Sequence, residues 1–121
     1  MVNLYSTFIV ADNSGAKVIK CLNIINRKSQ NIIVGDIILG VVKKSISNVL
    51  IKKSDIVKGV VIRTKKISNK DMFFKISFND NAVVLINKNN DLIGKRIFGS
   101  VSSELYKSKF FKIISLAENI V

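Results

Sequence analysis

The residues that usually do chemistry are scarce in this chain. It has no His, so a histidine base and a His-ligated metal are both excluded. Its one Cys, Cys21, can form neither an intrachain disulfide nor a zinc cluster. A nucleophilic Cys commonly takes a His as its activating base, and this chain has none. Cys21 lies between Lys20 and Leu22 in an apolar run and reads as a small buried hydrophobe. Gly35 and Gly40 have the glycine spacing of a phosphate loop, but Val41-Val42 stand where that loop needs Lys and Ser or Thr. Gly35 and Gly94 are better read as turn residues. Asp80 and Asp91, and Asp36 and Asp55, are the candidate carboxylate pairs, but none lies in a sequence context that would desolvate and pair them. The acids read as partial neutralisation of a basic surface. No catalytic residue, cofactor or metal follows, and an enzyme acting on RNA would need an acid–base pair or metal site that is not visible.

What remains is cationic chemistry. The chain carries 20 Lys plus Arg against 8 Asp plus Glu, a formal charge of +12. Such self-repulsion is best tolerated when a polyanion cancels it. Both halves of the chain are equally basic, so the charge is mounted on folded structure rather than on an arm. The stretch from 41 to 75 is the densest, with only Asp55 and Asp71 opposing its bases. There Lys43-Lys44, Lys52-Lys53 and Arg63-Thr64-Lys65-Lys66 fall at strand ends or in loops, with Lys58, Lys70 and Lys75 nearby. Loops at one rim of a barrel converge, and ammonium groups gathered there repel unless an anion intervenes. Nucleic-acid phosphate is the favoured anion. The competing readings are scattered solvated lysines and a membrane surface, though no amphipathic basic helix accompanies the lysines. Phe73-Phe74 could stack bases, but alternation turns one inward, and core or a protein contact is the better reading.

The elements that must hold these lysines follow from length and periodicity. At 121 residues and 13.5 kDa the chain suits one domain, and its 48% apolar content supports a real core. The expected division is a barrel over about 1–99 and a helical cap over about 100–121. Strands are expected at Thr7 to Ala11, Ala16 to Ile25, Ile37 to Val42, Ile56 to Thr64, Phe73 to Phe78 and Ala82 to Ile86. Asp12-Asn13-Ser14-Gly15 and Val34-Gly35-Asp36 are turns, and Asn26 to Asn31 is a polar loop. Six or so short strands favour a small closed β-barrel, which also removes exposed edges. At the C-terminus, Ser102 or Ser103 could cap a helix with Glu104 in its first turn, and Leu105, Phe110, Ile113, Ile114 and Ala117 sit at spacings that a helix or two short helical turns could use. No apolar run approaches the ~18 residues of a membrane helix, and Met1 to Val10 lacks a signal peptide's basic start. An intracellular or intra-organelle compartment is expected. Lys, Asn and Ile are abundant and Pro is absent, as codon bias in an A/T-rich genome would produce. A mitochondrion is favoured, then a plastid, then an A/T-rich bacterium.

Six stretches in order resemble one family. They are Val10 to Lys17, Val34-Gly35-Asp36, Val60 to Lys66, Asp80 to Asn87, Gly94 to Gly99 and Phe110 to Ala117. The chain is similar along essentially its whole length to the universal large-subunit ribosomal protein fourteen family, in its bacterial and organellar form. The resemblance implies a mainly β fold: a closed five-stranded barrel with a hairpin extension and a short C-terminal helical element. It implies a structural, non-enzymatic role. It implies binding to large-subunit rRNA, bridges to small-subunit rRNA, and ribosomal proteins three and nineteen of the large subunit as neighbours. A ribosome-silencing factor that blocks subunit joining is a further implied partner.

Carried over residue by residue, Asn13, Ser14 and Lys17 match the family's first turn. Lys52 and Lys53 match its Lys pair, and Arg63, Lys65 and Lys66 its basic strand end. Together with Lys43 and Lys44 these are the expected rRNA-binding residues. Arg96, Lys112 and Ser115 match the silencing-factor surface, and Lys95 stands there where the family usually has Thr. The family's Arg-rich loop is reduced here to Asn26 to Asn31, and its Arg-containing hairpin tip to Asn69 to Phe74. Lys supplies charge but not the planar fork of Arg. An altered rRNA, or an added protein meeting Phe73-Phe74, would account for this, and organellar ribosomes fit it best. The alternative is a free RNA-binding barrel or chaperone. That class wants several surface aromatics on adjacent strands, whereas the Phe residues here mostly sit in apolar strand positions.

Overall fold

A computed structural model describes residues 4–26, 28, 30–46, 51–65, 68–69, 75–76, 80–102, 105, 111–117 and 119–121. Its elements are β1 (Thr7–Val10), β2 (Ala16–Ile24), β3 (Ile37–Ser45), β4 (Ile56–Arg63), β5 (Ser68–Asn69), β6 (Lys75–Ile76), β7 (Ala82–Ile86), β8 (Ser100–Val101), α1 (Phe111–Leu116) and β9 (Asn119–Ile120). Five strands close into a barrel in the order β1-β2-β3-β4-β7. Every neighbouring pair is antiparallel except β1 and β7, which close the barrel in parallel with Ile9 opposite Ala82 and Val10 opposite Val83. The sixth expected strand lies outside the barrel, where Lys75–Ile76 pairs with Ser68–Asn69 as a separate two-stranded sheet. Phe73 and Phe74 lie outside the described residues.

Strand alternation builds two cores back to back. Phe8, Val10, Ile19, Cys21, Ile38, Val42, Val61, Val83 and Leu85 fill the barrel. Val60, Ile62, Ala82, Val84 and Ile86 point outward and are covered by Ile97, Val101, Leu105 and Ile113. β7 is therefore buried on both faces, which is why it is a continuous apolar run rather than an alternating one. Full burial of each large aliphatic side chain contributes about 1.5–3 kcal/mol.

Of the two readings of the C-terminal spacing, the short pieces fit: a turn at Leu105 and the six-residue α1. It starts at Phe111, so Ser102 does not cap it. Ser102 is buried, and its carbonyl accepts from Leu105 N–H in a separate turn. Ser103, Glu104 and Phe110 lie outside the described residues.

Candidate nucleic-acid interface

The basic clusters do not converge on one rim. Following the strand directions, the start of β2, the end of β3 and the β3–β4 connection share one end of the barrel. The end of β4 and the start of β7 share the other. Lys17, Lys43, Lys44, Lys52 and Lys53 thus sit at the first end and Arg63 and Lys65 at the second. The single-rim expectation fails because β4 crosses the barrel between Lys53 and Arg63. Lys66 lies outside the described residues.

Local irregularity aims the first group. The β2–β3 register runs Ala16 to Ser45, Val18 to Lys44, then Ile19 to Val42, skipping Lys17 and Lys43. An extra residue on a strand bends it and re-aims its side chain. Both skipped lysines are exposed, as are Lys44, Lys52 and Lys53. The Lys52 turn is pinned by Asp55, whose carboxylate accepts from Lys52 N–H at 2.8 Å, and by Ser54 N–H on the Val42 carbonyl at 2.8 Å.

At the other end, Arg63 turns inward. Its Nε and Nη2 donate to the two Asp80 carboxylate oxygens at 2.6 and 3.2 Å. Its Nη1 donates to the carbonyls of Phe98 at 3.1 Å and Ser100 at 2.9 Å. The Arg63 side chain is 11% exposed and that of Asp80 30%. A planar fork is needed to reach four acceptors at once. A Cβ on Gly99 would stand 2.7 Å from Nη1, so only glycine lets the segment approach. Lys65, two residues on, is exposed, and its backbone N–H donates to Asn81 Oδ1 at 2.7 Å.

The first turn is tied down in the same way. Buried Asp12 accepts from Ser14 N–H at 3.1 Å, from Ser14 Oγ at 2.5 Å and from Leu85 N–H at 2.9 Å. Its carboxylate thereby prolongs the β1–β7 ladder beyond the end of β1. Asn13 Oδ1 accepts from the backbone N–H groups of Lys95 at 2.8 Å and Arg96 at 3.2 Å. Asp36, also buried, closes its turn by accepting from Ile33 N–H at 2.9 Å. Asp12 and Asp36 are therefore internal anchors, which corrects the reading of the acids as surface neutralisation. Each sits in turn chemistry that the sequence displays, but the Leu85 partner of Asp12 is remote in sequence. Cys21 is fully buried, and burial pushes its thiol above the ordinary value of 9.0.

The four residues of the protein-partner surface are only partly gathered. Lys95, Lys112 and Ser115 line one shallow cavity of about 330 Å³ with Asp91, Leu92, Gly94 and Leu116. Lys112 Nζ lies 3.4 Å from Asp91 Oδ1, an exposed ion pair of small worth. Ser115 Oγ donates to the Lys112 carbonyl at 2.8 Å. Arg96 instead lies over the Phe98 ring, 5.2 Å from its centroid.

A family model described as ribosomal protein L14p/L23e matches residues 1–121, the whole chain. The chain belongs to this family. As a member of the L14p/L23e family it is a structural constituent of the large ribosomal subunit, associated in the ribosome with ribosomal RNA and other ribosomal proteins. The family is structural and non-enzymatic. What the geometry offers such a member is a rigid closed barrel with exposed ammonium groups at both ends, internal carboxylate anchors, and a shallow basic cavity beside the helix.

Proposed function

We propose that this protein binds large-subunit rRNA directly through Lys17, Lys43, Lys44, Lys52 and Lys53 at one end of the barrel and Lys65 at the other, with Lys66 as its neighbour in sequence. The observation that carries the reading is that exposed lysines stand at both ends of one closed barrel, five at the first and Lys65 at the second. Two separated cationic ends suit a protein wedged between RNA elements, and support bridges to small-subunit rRNA. Phosphate neutralisation supplies affinity, and the fixed spacing of the two ends supplies shape selection. Asn13, Ser14 and Arg63 serve this interface by fixing the turns from which the lysines project. The cavity lined by Lys95, Lys112 and Ser115, with Arg96 beside it, is the docking surface for the silencing factor, and ribosomal proteins three and nineteen of the large subunit are the neighbours. The Lys- and Asn-rich composition supports the ribosome of an organelle with an A/T-rich genome, a mitochondrion first.

The test is incorporation into large subunits followed by sedimentation. Lys17→Glu with Lys43→Glu, and separately Lys65→Glu, should lower recovery with the large subunit and flatten the salt dependence of rRNA binding. Recovery equal to wild type for both variants would refute the assignment. Arg96→Glu should spare assembly and reduce capture of the cognate silencing factor; equal capture would remove that surface from the reading.

A further inference from the structure

Tyr5 stands just before β1 with its backbone in the left-handed region, at φ 67°. That conformation is unfavourable for an aromatic residue and marks a position held for a reason other than local comfort. It is held firmly: Tyr5 N–H donates to the Cys21 carbonyl at 2.9 Å, and Cys21 N–H donates to the Ser6 carbonyl at 2.9 Å. The side chain gains nothing from this in burial, being 63% exposed. Lys20 Nζ lies 5.9 Å from the ring centroid, placed there by the β1–β2 register that sets Lys20 opposite Thr7.

An exposed ring on a fixed backbone, with an ammonium over one face and the opposite face left for a base, offers two things at once. The ring gives any base a flat π-surface, and the ammonium takes a phosphate. Their separation is comparable with the span of a single nucleotide. A protein partner would have to present an apolar surface and an acid side by side, whereas every nucleotide carries both a π-face and a charge. We propose that Tyr5 and Lys20 form a binding site for one unpaired nucleotide, with its base stacked on the Tyr5 ring and its phosphate on Lys20. The proposal rests on the rRNA reading above and adds an aromatic, salt-independent contact to a surface otherwise made of lysines. Purines, with the larger π-surface, should be preferred.

The chain supplies its own probe, because it has no Trp and only two Tyr, the other being Tyr106. In a Tyr106→Phe background all tyrosine emission comes from Tyr5. The full-length protein is titrated with end-labelled oligo(A) and oligo(U) of roughly twelve nucleotides, a length within the range of single-strand sites, over a series of KCl concentrations. Tyr5→Ala should weaken oligo(A) binding about 10-fold and oligo(U) binding less, with the salt slope unchanged. Tyr5→Phe should bind as wild type. Lys20→Ala should reduce the salt slope by about one contact. Saturating oligo(A) should quench Tyr5 emission. Wild-type affinity in Tyr5→Ala, or unquenched emission at saturation, would overturn the site while leaving the lysine interface standing. Absence of RNA binding by the wild-type protein would instead strike the rRNA reading itself. If Tyr5→Ala binds RNA normally but is lost from large subunits, the ring meets a neighbouring protein and the proposal falls.

Discussion

Replacing Arg63 by Met should destabilise the protein without removing a phosphate contact. The guanidinium makes four hydrogen bonds, two to Asp80 and two to the carbonyls of Phe98 and Ser100. Hydrogen bonds to a charged group contribute about 1.5–3 kcal/mol each in isolation, so simple addition would give a loss far above what single substitutions produce. Breaking a fully buried ion pair costs about 3–5 kcal/mol. Asp80 is only partly buried, so water would re-solvate its carboxylate and the freed Phe98 carbonyl, and the lower figure applies. We expect a loss of about 3 kcal/mol, or a Tm lower by roughly 10 °C for a chain of this size. Arg63→Lys keeps the charge but cannot reach Asp80 and both carbonyls together, and should lose more than half as much. Urea unfolding followed by far-UV circular dichroism gives the stability, and RNA titration at several salt concentrations gives the contact count. Stability within about 0.5 kcal/mol of wild type, the usual range for neutral surface changes, combined with a shallower salt slope, would refute the reasoning. The guanidinium would then belong to the RNA and not to the fold.

Gly15→Val should lower the urea midpoint more than Gly59→Ala, because Gly15 has φ 113°, where a β-branched residue is strained. Gly59→Ala is not neutral either, since its Cβ would stand 3.2 Å from the Val84 carbonyl oxygen; equal midpoints would contradict the ordering. Asn13→Ala should cost about 1 kcal/mol and speed hydrogen exchange at the Lys95 and Arg96 amides, and unchanged exchange would count against the tie between the two segments. Cys21 has a native pKa raised by burial, so its contribution to stability is complete below the ordinary value of 9.0 and is lost as pH rises from there through the higher native value. Cys21→Val should flatten that decline, and identical alkaline profiles would remove the thiol as its source.

The barrel strands were legible because each announces itself locally. Ala82 to Ile86 is a run of apolar residues whose length fits one strand, and Ala16 to Ile24 alternates around its two lysines. The extra length of β3, through Lys43 and Lys44 to Ser45, was not legible, because charged residues at a strand end look like loop. β9 was invisible for a similar reason, being two exposed residues that pair with β8 far back in sequence. The lysines of the interface could be named from sequence, but their division between two ends could not. That division depends on which strand crosses the barrel, and it needs the register of β4 against β3 and β7. Arg63 could not be told apart from Lys65 by composition; Asp80, well downstream in the chain, decides it. Tyr5 offered only an aromatic beside a strand, with nothing to show its exposure.

β7 forms with β4 the shared wall of both cores, and this imposes an order on how the protein can be made. As the chain emerges from its N-terminus, β1 to β4 can form a meander, but β1 lacks its second neighbour until β7 arrives. Pairing across such a separation is slow, and the open edges of β1 and β4 are exposed meanwhile. Once β7 closes the barrel, its outward Ala82, Val84 and Ile86 still face water until Ile97, Val101, Leu105 and Ile113 fold over them. A chain halted after Ile86 would be a closed barrel with a bare sticky flank, the kind of species that aggregates or is taken up by chaperones. Solubility therefore reports that synthesis has passed the helix, and a stalled product betrays itself through the outward flank that β4 and β7 leave bare.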